Sequence, residues 1–449
     1  MSTAALIGLV LFAVGLLLAL VVVVRLHAFV ALLATSLVVA VVGGVPLAEI
    51  ADEIQRQMGA TLGYIAVVIG LGAMFGEILR RSGGAEAIAH RLLDAFGEQR
   101  APQALALTGL VVAIPVFFDV ALVLLIPLVY TLAERSRRSL LYYAVPLLAG
   151  IAVAHAFVPP TPGPVAVAGL LGADLGWVIL FGLLAGAPAT AVGGLWFGRR
   201  IAARIHLEVP EAMRAPAAVG DAEPARRPGF ATAVGLVALP LALILVGTVS
   251  AVVLPDGSPS RRILSFAGHP FVALLATTLV SFWALGTRLG YSAAEVRETA
   301  GKALEPVGMI ILVTGAGGVF GKVLFGTGVG AAAAEWMASS RLPFVLLAFL
   351  IATVVRVAQG SATVSMVTAA SLVAPIVEAG ESSPALLAAL TVAIACGATV
   401  LSHVNDSGFW LVGRFLGMSE TETLRVWTVM ETLVGLTGLA MVLVLSIFF

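Results

Sequence analysis

Apolar residues in this chain come in long blocks separated by short polar stretches. Blocks of about 20 residues, the length that crosses a bilayer as a helix, recur from end to end. Eight cross cleanly: 4–24, 28–45, 61–80, 176–198, 230–254, 270–286, 304–324 and 424–447. Two more, 141–172 and 384–416, are long enough but interrupted, the first by PPTPGP (159–164) and the second by SHVNDSGFW (402–410). Another two, 103–133 and 343–378, carry FFD (117–119) and QGSAT (359–363) near their middles. Each of these reads either as a kinked helix or as a hairpin that enters and leaves on one face. The first block has no basic stretch before it and no small-residue cleavage site after it, so it is expected to be a retained helix and not a signal peptide.

Charge arbitrates between the two readings, because short cytoplasmic loops collect Lys and Arg. With both ambiguous regions as hairpins, the inside segments are 25–27, 80–101, 134–140, 199–229, 287–303 and 414–425, and they hold 19 of the chain's 25 Lys and Arg. With both as crossings, the six arginines of 199–227 fall outside. The hairpin topology is therefore expected: about ten full crossings, two of them broken, two re-entrant hairpins, and both termini outside. The long polar stretch 199–229 is expected to be a mobile cytoplasmic connector.

A repeat underlies this layout. GLGAMFGEIL (70–79) matches GAGGVFGKVL (315–324): Gly70, Gly72, Phe75, Gly76 and Leu79 recur as Gly315, Gly317, Phe320, Gly321 and Leu324, each 245 positions on. His155 and His403 are 248 apart, as are Pro127 and Pro375. Each half runs glycine-rich span, hairpin, broken span with a histidine before the break, then a closing span. An odd number of crossings between equivalent points makes the second copy inverted. Inverted repeats with helices broken at the midplane are a plan of secondary transporters. The predicted organisation is N-terminal scaffold helices (1–60), first repeat (61–198), linker (199–229), connecting scaffold helices (230–303) and second repeat (304–449).

Composition agrees with an all-α polytopic membrane protein. The 449 residues are 60% hydrophobic and 11% charged, with mean hydropathy +1.09, against roughly 25% charged in soluble domains. A net charge of +0 argues against a nucleic-acid partner. Cys396 is alone, which excludes an internal disulfide and a cysteine metal site. No GxxxxGK[ST] loop points to ATP. No His-x-x-His or HExxH spacing supports a metal, so neither metal nor cofactor is expected.

Candidate chemistry gathers at the four interruptions. Broken helices leave backbone groups unpaired, which is tolerated at membrane depth only in protein or beside water, and their N-termini favour anions. Gly360, Ser361 and Thr363 fit a hydroxyl-capped helix start at a hairpin tip, and Asp119 is the only ionisable residue of the other tip. The prolines of 159–164 forbid helix continuation, leaving Thr161 and Gly163 in the gap and His155 one turn before it. The second break offers His403, Asn405, Asp406, Ser407 and Gly408, beside Ser402. These are donors and acceptors suited to a hydroxyl-rich ligand. Arg356 would meet a ligand carboxylate, pair with an acidic side chain, or snorkel to the interface. Ionisable residues within spans are functional by default. Asp119 and Asp406 are the candidates for a coupling proton, because carboxyl groups withdrawn from water hold protons more readily; His155 and His403 are alternatives. Glu305 is expected at the interface, and His27, His90, His206 and His269 in loops.

At these residues the chain resembles the gluconate permease family of bacterial sugar-acid:proton symporters, over roughly residues 5 to 447. The resemblance rests on HAFVPPTPGPVAVAGLLGADLG (155–176), QGSATVSMVTAASLVAPI (359–376) and SHVNDSGFWLVGRFLGMSETET (402–423). It implies the fold of the wider ion-transporter superfamily, an elevator-like motion, a homodimer, and a substrate site at the hairpin tips and broken spans. Two positions depart from the family: Asp119 stands where a glutamate is common, and Ser407 where proline is common. The expected function is proton-coupled uptake, at the inner membrane, of gluconate or a related small hydroxylated carboxylate. Sodium-coupled carriage of dicarboxylates is the alternative, and an intramembrane enzyme using the His/Asp cluster or a channel are further ones.

Overall fold

The computed structural model describes residues 3–211, 227–328 and 343–448, and among them every regular element is helical. The first half contains α1 (Thr3–Leu18), α2 (Ala28–Val42), α3 (Leu47–Arg81), α4 (Gly84–Phe96), α5 (Ala101–Val112), α6 (Phe118–Ser136), α7 (Leu141–Phe157), α8 (Pro162–Leu171), α9 (Leu175–Thr190) and α10 (Phe197–Arg204). Then come α11 (Phe230–Val253), α12 (Pro259–Ala267), α13 (Pro270–Ser281) and α14 (Ala293–Lys302). The second half contains α15 (Glu305–Gly326), α16 (Phe344–Gln359), α17 (Ala362–Ala379), α18 (Pro384–Thr399), α19 (Ser407–Leu416), α20 (Glu420–Thr423) and α21 (Val429–Ser446). Single π-helical turns at 191–196 and 424–428 lead into α10 and α21. Among the described residues, eight helical segments are long and apolar enough to cross a membrane.

All four interruptions are real breaks. Helix stops at Val112 and resumes at Phe118, stops at Phe157 and resumes at Pro162, stops at Gln359 and resumes at Ala362, and stops at Thr399 and resumes at Ser407. Ser361 caps α17 as its sequence predicts, accepting from the Val364 N–H at 3.4 Å. α16 and α17 lie along one another, as hairpin arms do. α5 instead packs along α7 and touches α6 little.

Burial separates the inner elements from the outer ones. The broken span Leu141–Leu171 is 89% buried over its most apolar window, whereas Phe230–Val253 is 33% buried and shows Val246, Val249, Val252 and Val253 outwards. The inner group comprises α5, α7, α8, α9, α16, α17, α18 and α21; α2, α3, α13, α14 and α15 form a second packed group. The groups meet where α15 packs on α17 and α3 on α8.

Two elements differ from expectation. α3 begins at Leu47 and not near residue 61, because the polar stretch before the span is amphipathic. Ile50, Ile54 and Met58 share one helical face and pack on the core, while Glu53 holds Gln57 at 2.7 Å on the wet side. In the linker, Ser139 Oγ donates to the Ile205 carbonyl (2.9 Å), and the Leu140 N–H donates to that of Leu207 (2.8 Å). The start of the connector is therefore tied down, and residues 212–226 lie outside the described residues.

The repeated glycines set the distance between the groups. A Cβ on Gly76 would stand 1.8 Å from the Pro115 carbonyl oxygen at the α5–α6 turn. Backbone cannot yield there as a side-chain end does, so Gly76→Ala is expected to destabilise the protein by about 1–3 kcal/mol. A thermal midpoint in detergent several degrees below that of the parent checks this.

Candidate functional site

The α6 tip, the α16–α17 tip and the second break surround a cavity of about 420 Å³, within the range of small-molecule sites. Three helices direct their N-termini to it: α6 through Phe118 and Asp119, α17 through Ser361 to Thr363, and α19 through Asp406 to Gly408. Their unpaired N–H groups and aligned peptide dipoles make this a positive region built from backbone.

Buried charges stand in its wall. Arg356 is 1% exposed and Asp406 8%. Arg356 Nη2 donates to Asp406 Oδ2 at 2.6 Å, which selects ion pairing among the three readings the sequence left open for this arginine. Ser402 Oγ donates to the same carboxylate oxygen, while Oδ1 caps α19 by accepting from the Gly408 N–H (3.1 Å). Trp427 Nε1 donates to Ser402 Oγ (2.7 Å), and Thr428 Oγ1 donates to the Ser402 carbonyl. One network thus joins α16, the break, α19 and the π turn before α21. Arg356 Nε and Nη1 are buried without partners.

Aromatic rings also line the cavity. Phe118 lies 5.3 Å from Trp427 between ring centroids, and Phe117 and Phe118 lie 6.4 and 6.5 Å from the His155 ring. Hydroxyl groups of Ser361, Thr363, Thr399 and Ser407 complete the lining.

Among the sequence candidates, Asp119, His155, Ser361, Thr363, Asp406, Ser407 and Gly408 line this cavity, and Asp119 is exposed to it. The other five lie outside its lining. Thr161 Oγ1 donates to the Val158 carbonyl at 2.7 Å and closes its own turn. Gly163 admits Met366, whose sulfur would be 2.9 Å from an added Cβ. Gly360 has φ +83°, and a Cβ there would fall 2.1 Å from the Asn405 carbonyl oxygen, so the hairpin tip rests on the second break. Asn405 Nδ2 donates to the Val357 carbonyl (2.8 Å), and His403 Nδ1 lies 2.8 Å from the Leu401 carbonyl.

Trp427 and Glu431 also line the cavity, although neither lies at an interruption of the apolar blocks and neither is among the sequence candidates. The signal was present, since Glu431 is an ionisable residue in the middle of the apolar run 424–447. No group of three or more His, Cys, Asp or Glu side chains suited to a metal occurs among the described residues.

The profile described as GntP family permease matches residues 5–448. The low-affinity gluconate transporter of Escherichia coli K12 is 44% identical over 433 residues, covering 96% of this chain and 96% of that protein. The gluconate permease of Pseudomonas aeruginosa is 37% identical, covering 94% and 93%. In fold, the chain is similar to the Alcanivorax borkumensis YdaH transporter, with TM-score 0.66 at 14% identity over 94% of this chain and 98% of that one. Neisseria gonorrhoeae MtrF superposes with TM-score 0.63 at 12% identity, covering 93% and 94%.

Proposed function

The chain belongs to the GntP family of permeases, and from this premise we propose that it takes up gluconate, or a closely related small hydroxylated carboxylate, together with a proton. It is a multi-pass protein of the bacterial inner membrane. The observation that carries the substrate reading is the convergence of three helix N-termini on one cavity that also holds a buried guanidinium. A carboxylate entering there meets the N-terminus of α17, which carries no acidic side chain, while Asp119 and Asp406 stand at the other two tips. Ser361, Thr363, Thr399 and Ser407 then offer hydroxyls to the hydroxylated carbons, and Phe117, Phe118 and Trp427 exclude water behind them. The gluconate-transporting relatives support this choice of acid.

The arginines and lysines place the α3–α4 and α13–α14 turns inside, which puts Pro306, Met309, Leu411 and Trp427 on the cytoplasmic half of the cavity. In this reading the arrangement is inward-facing, and the inner helices carry the site outwards past α3 and α15. The first and second repeats, related by inversion, supply the two faces of that movement. A homodimer, as in the wider superfamily, belongs to the same proposal. Asp119 is exposed in the cavity, whereas Asp406 is engaged by Arg356.

The test is uptake of radiolabelled gluconate by vesicles reconstituted with the purified protein. An inward proton gradient should drive saturable accumulation that a protonophore abolishes and sodium leaves unchanged. Accumulation that follows sodium and ignores the protonophore would replace the proton with sodium. Absence of gluconate accumulation under both gradients would remove gluconate as substrate.

A further inference from the structure

We propose that Glu431 carries the coupled proton and that, once ionised, it competes with Asp406 for Arg356. The inference rests on the proton-coupled reading above and assigns the residue within it.

Glu431 is 5% exposed, lines the cavity, and has a buried Oε1 with no hydrogen-bond partner. Arg356, in the same wall, keeps Nε and Nη1 unpaired although Asp406 takes Nη2. A guanidinium with two unmade bonds beside an ionised carboxylate with an unmade bond is not a stable buried arrangement, because each unmet charge costs several kcal/mol. The unpartnered Oε1 therefore suits a neutral, protonated Glu431.

The elements packed against α21 surround Glu431 with few alternatives. α16 supplies Arg356, the second break supplies Asp406, and α18 supplies Cys396. α7 supplies His155 at one end and Tyr142 and Tyr143 at the other, while α9 and the 191–196 turn supply no titratable group. Arg425 lies on the π turn leading into α21, and Asp119 stands across the cavity, exposed.

Charge counting explains the coupling. With Glu431 ionised, Arg356, Asp406 and Glu431 sum to −1, and a monoanionic sugar acid would bring the buried site to −2. One proton, taken from cavity water onto a Glu431 oxygen, keeps the loaded site at −1. Anion and proton then enter together and leave together. Losing the proton on the inner side frees the carboxylate to reach Arg356 Nε and Nη1, which loosens the α16–α19 join at Asp406.

Vesicles holding Glu431→Gln should retain gluconate counterflow at a reduced rate. They should lose at least tenfold in proton-driven accumulation and show no gluconate-dependent alkalinisation outside. Alkalinisation by this variant at the parental ratio to gluconate would overturn the assignment. Absence of alkalinisation by the parent protein would instead overturn proton coupling itself. The parent chain gives a second readout independent of folding in the variant. A hydrophobic carbodiimide, which reacts with protonated buried carboxyl groups, should modify Glu431 at low pH, with modification falling as pH rises and as gluconate is added. Modification that maps by mass spectrometry to Asp119 or Asp406 and spares Glu431 would also overturn it.

Discussion

Arg356→Ala is expected to abolish gluconate uptake. Asp406, 8% exposed, would then be a buried carboxylate with no counter-charge, and breaking such a pair from one side costs about 3–5 kcal/mol. If that cost falls on the conformation that binds substrate, about 1.4 kcal/mol per tenfold makes it a loss of more than a hundredfold in uptake. The thermal midpoint should fall as well. The double variant Arg356→Met, Asp406→Asn separates stability from transport. Removing both charges together lifts the penalty, so its midpoint should recover while uptake stays absent. Arg356→Lys should fall between, with about a tenfold loss, because an ammonium cannot present the fork that leaves Nε and Nη1 directed away from Asp406. Full uptake by Arg356→Ala would mean that the Arg356–Asp406 join is dispensable to the cycle.

The breaks that make this site were legible in the chain because they are written in residues with fixed backbone consequences. Pro159 to Pro164 cannot be helical throughout, and Gly360 followed by Ser361 is a stop and a cap. The Ser361 cap appears where the sequence places it, whereas the first break is shorter than PPTPGP: α8 resumes at Pro162, a residue suited to the first helical turn, so Gly163 lies in the helix and not in the gap. Which polar side chain turns to the cavity was less legible. His403, Asn405 and Asp406 are neighbours with similar bonding capacity, yet only Asp406 faces the cavity. The choice depends on the unpaired carbonyl of Val357 at the end of α16 and on the cation at Arg356, both some fifty residues away along the chain. Glu431 was missed for a different reason. It interrupts no helix, so a search for broken backbone passes over it, although an acid amid VWTVMETLVG stands out once charge within a span is the criterion. The start of α3 at Leu47 follows from amphipathic spacing, which a search for continuous apolar runs does not register.

A covalent tie between α15 and α17 is expected to stop transport where loss of their ion pair does not. Lys322 Nζ lies 2.5 Å from Glu378 Oε1, with side chains 45% and 27% exposed, beside a second cavity of about 350 Å³ that Thr61, Tyr64 and Ser371 also line. On the inverted-repeat topology this cavity faces outwards, opposite the mouth of the substrate site. Exposed pairs contribute about 0–1 kcal/mol, so the bridge can open and close with each cycle at little cost. Lys322→Ala should therefore change uptake by no more than about twofold. Lys322→Cys with Glu378→Cys, joined by a short bifunctional thiol reagent, should lower uptake more than tenfold, because on the proposed motion the inner helices would no longer slide along α15. A monofunctional reagent should leave uptake near the untreated level. The native Cys396 is buried, so background modification is low. Cross-linked protein that transports at the full rate would show that α15 and α17 stay together throughout, and the moving boundary would then lie elsewhere than between the two packed groups.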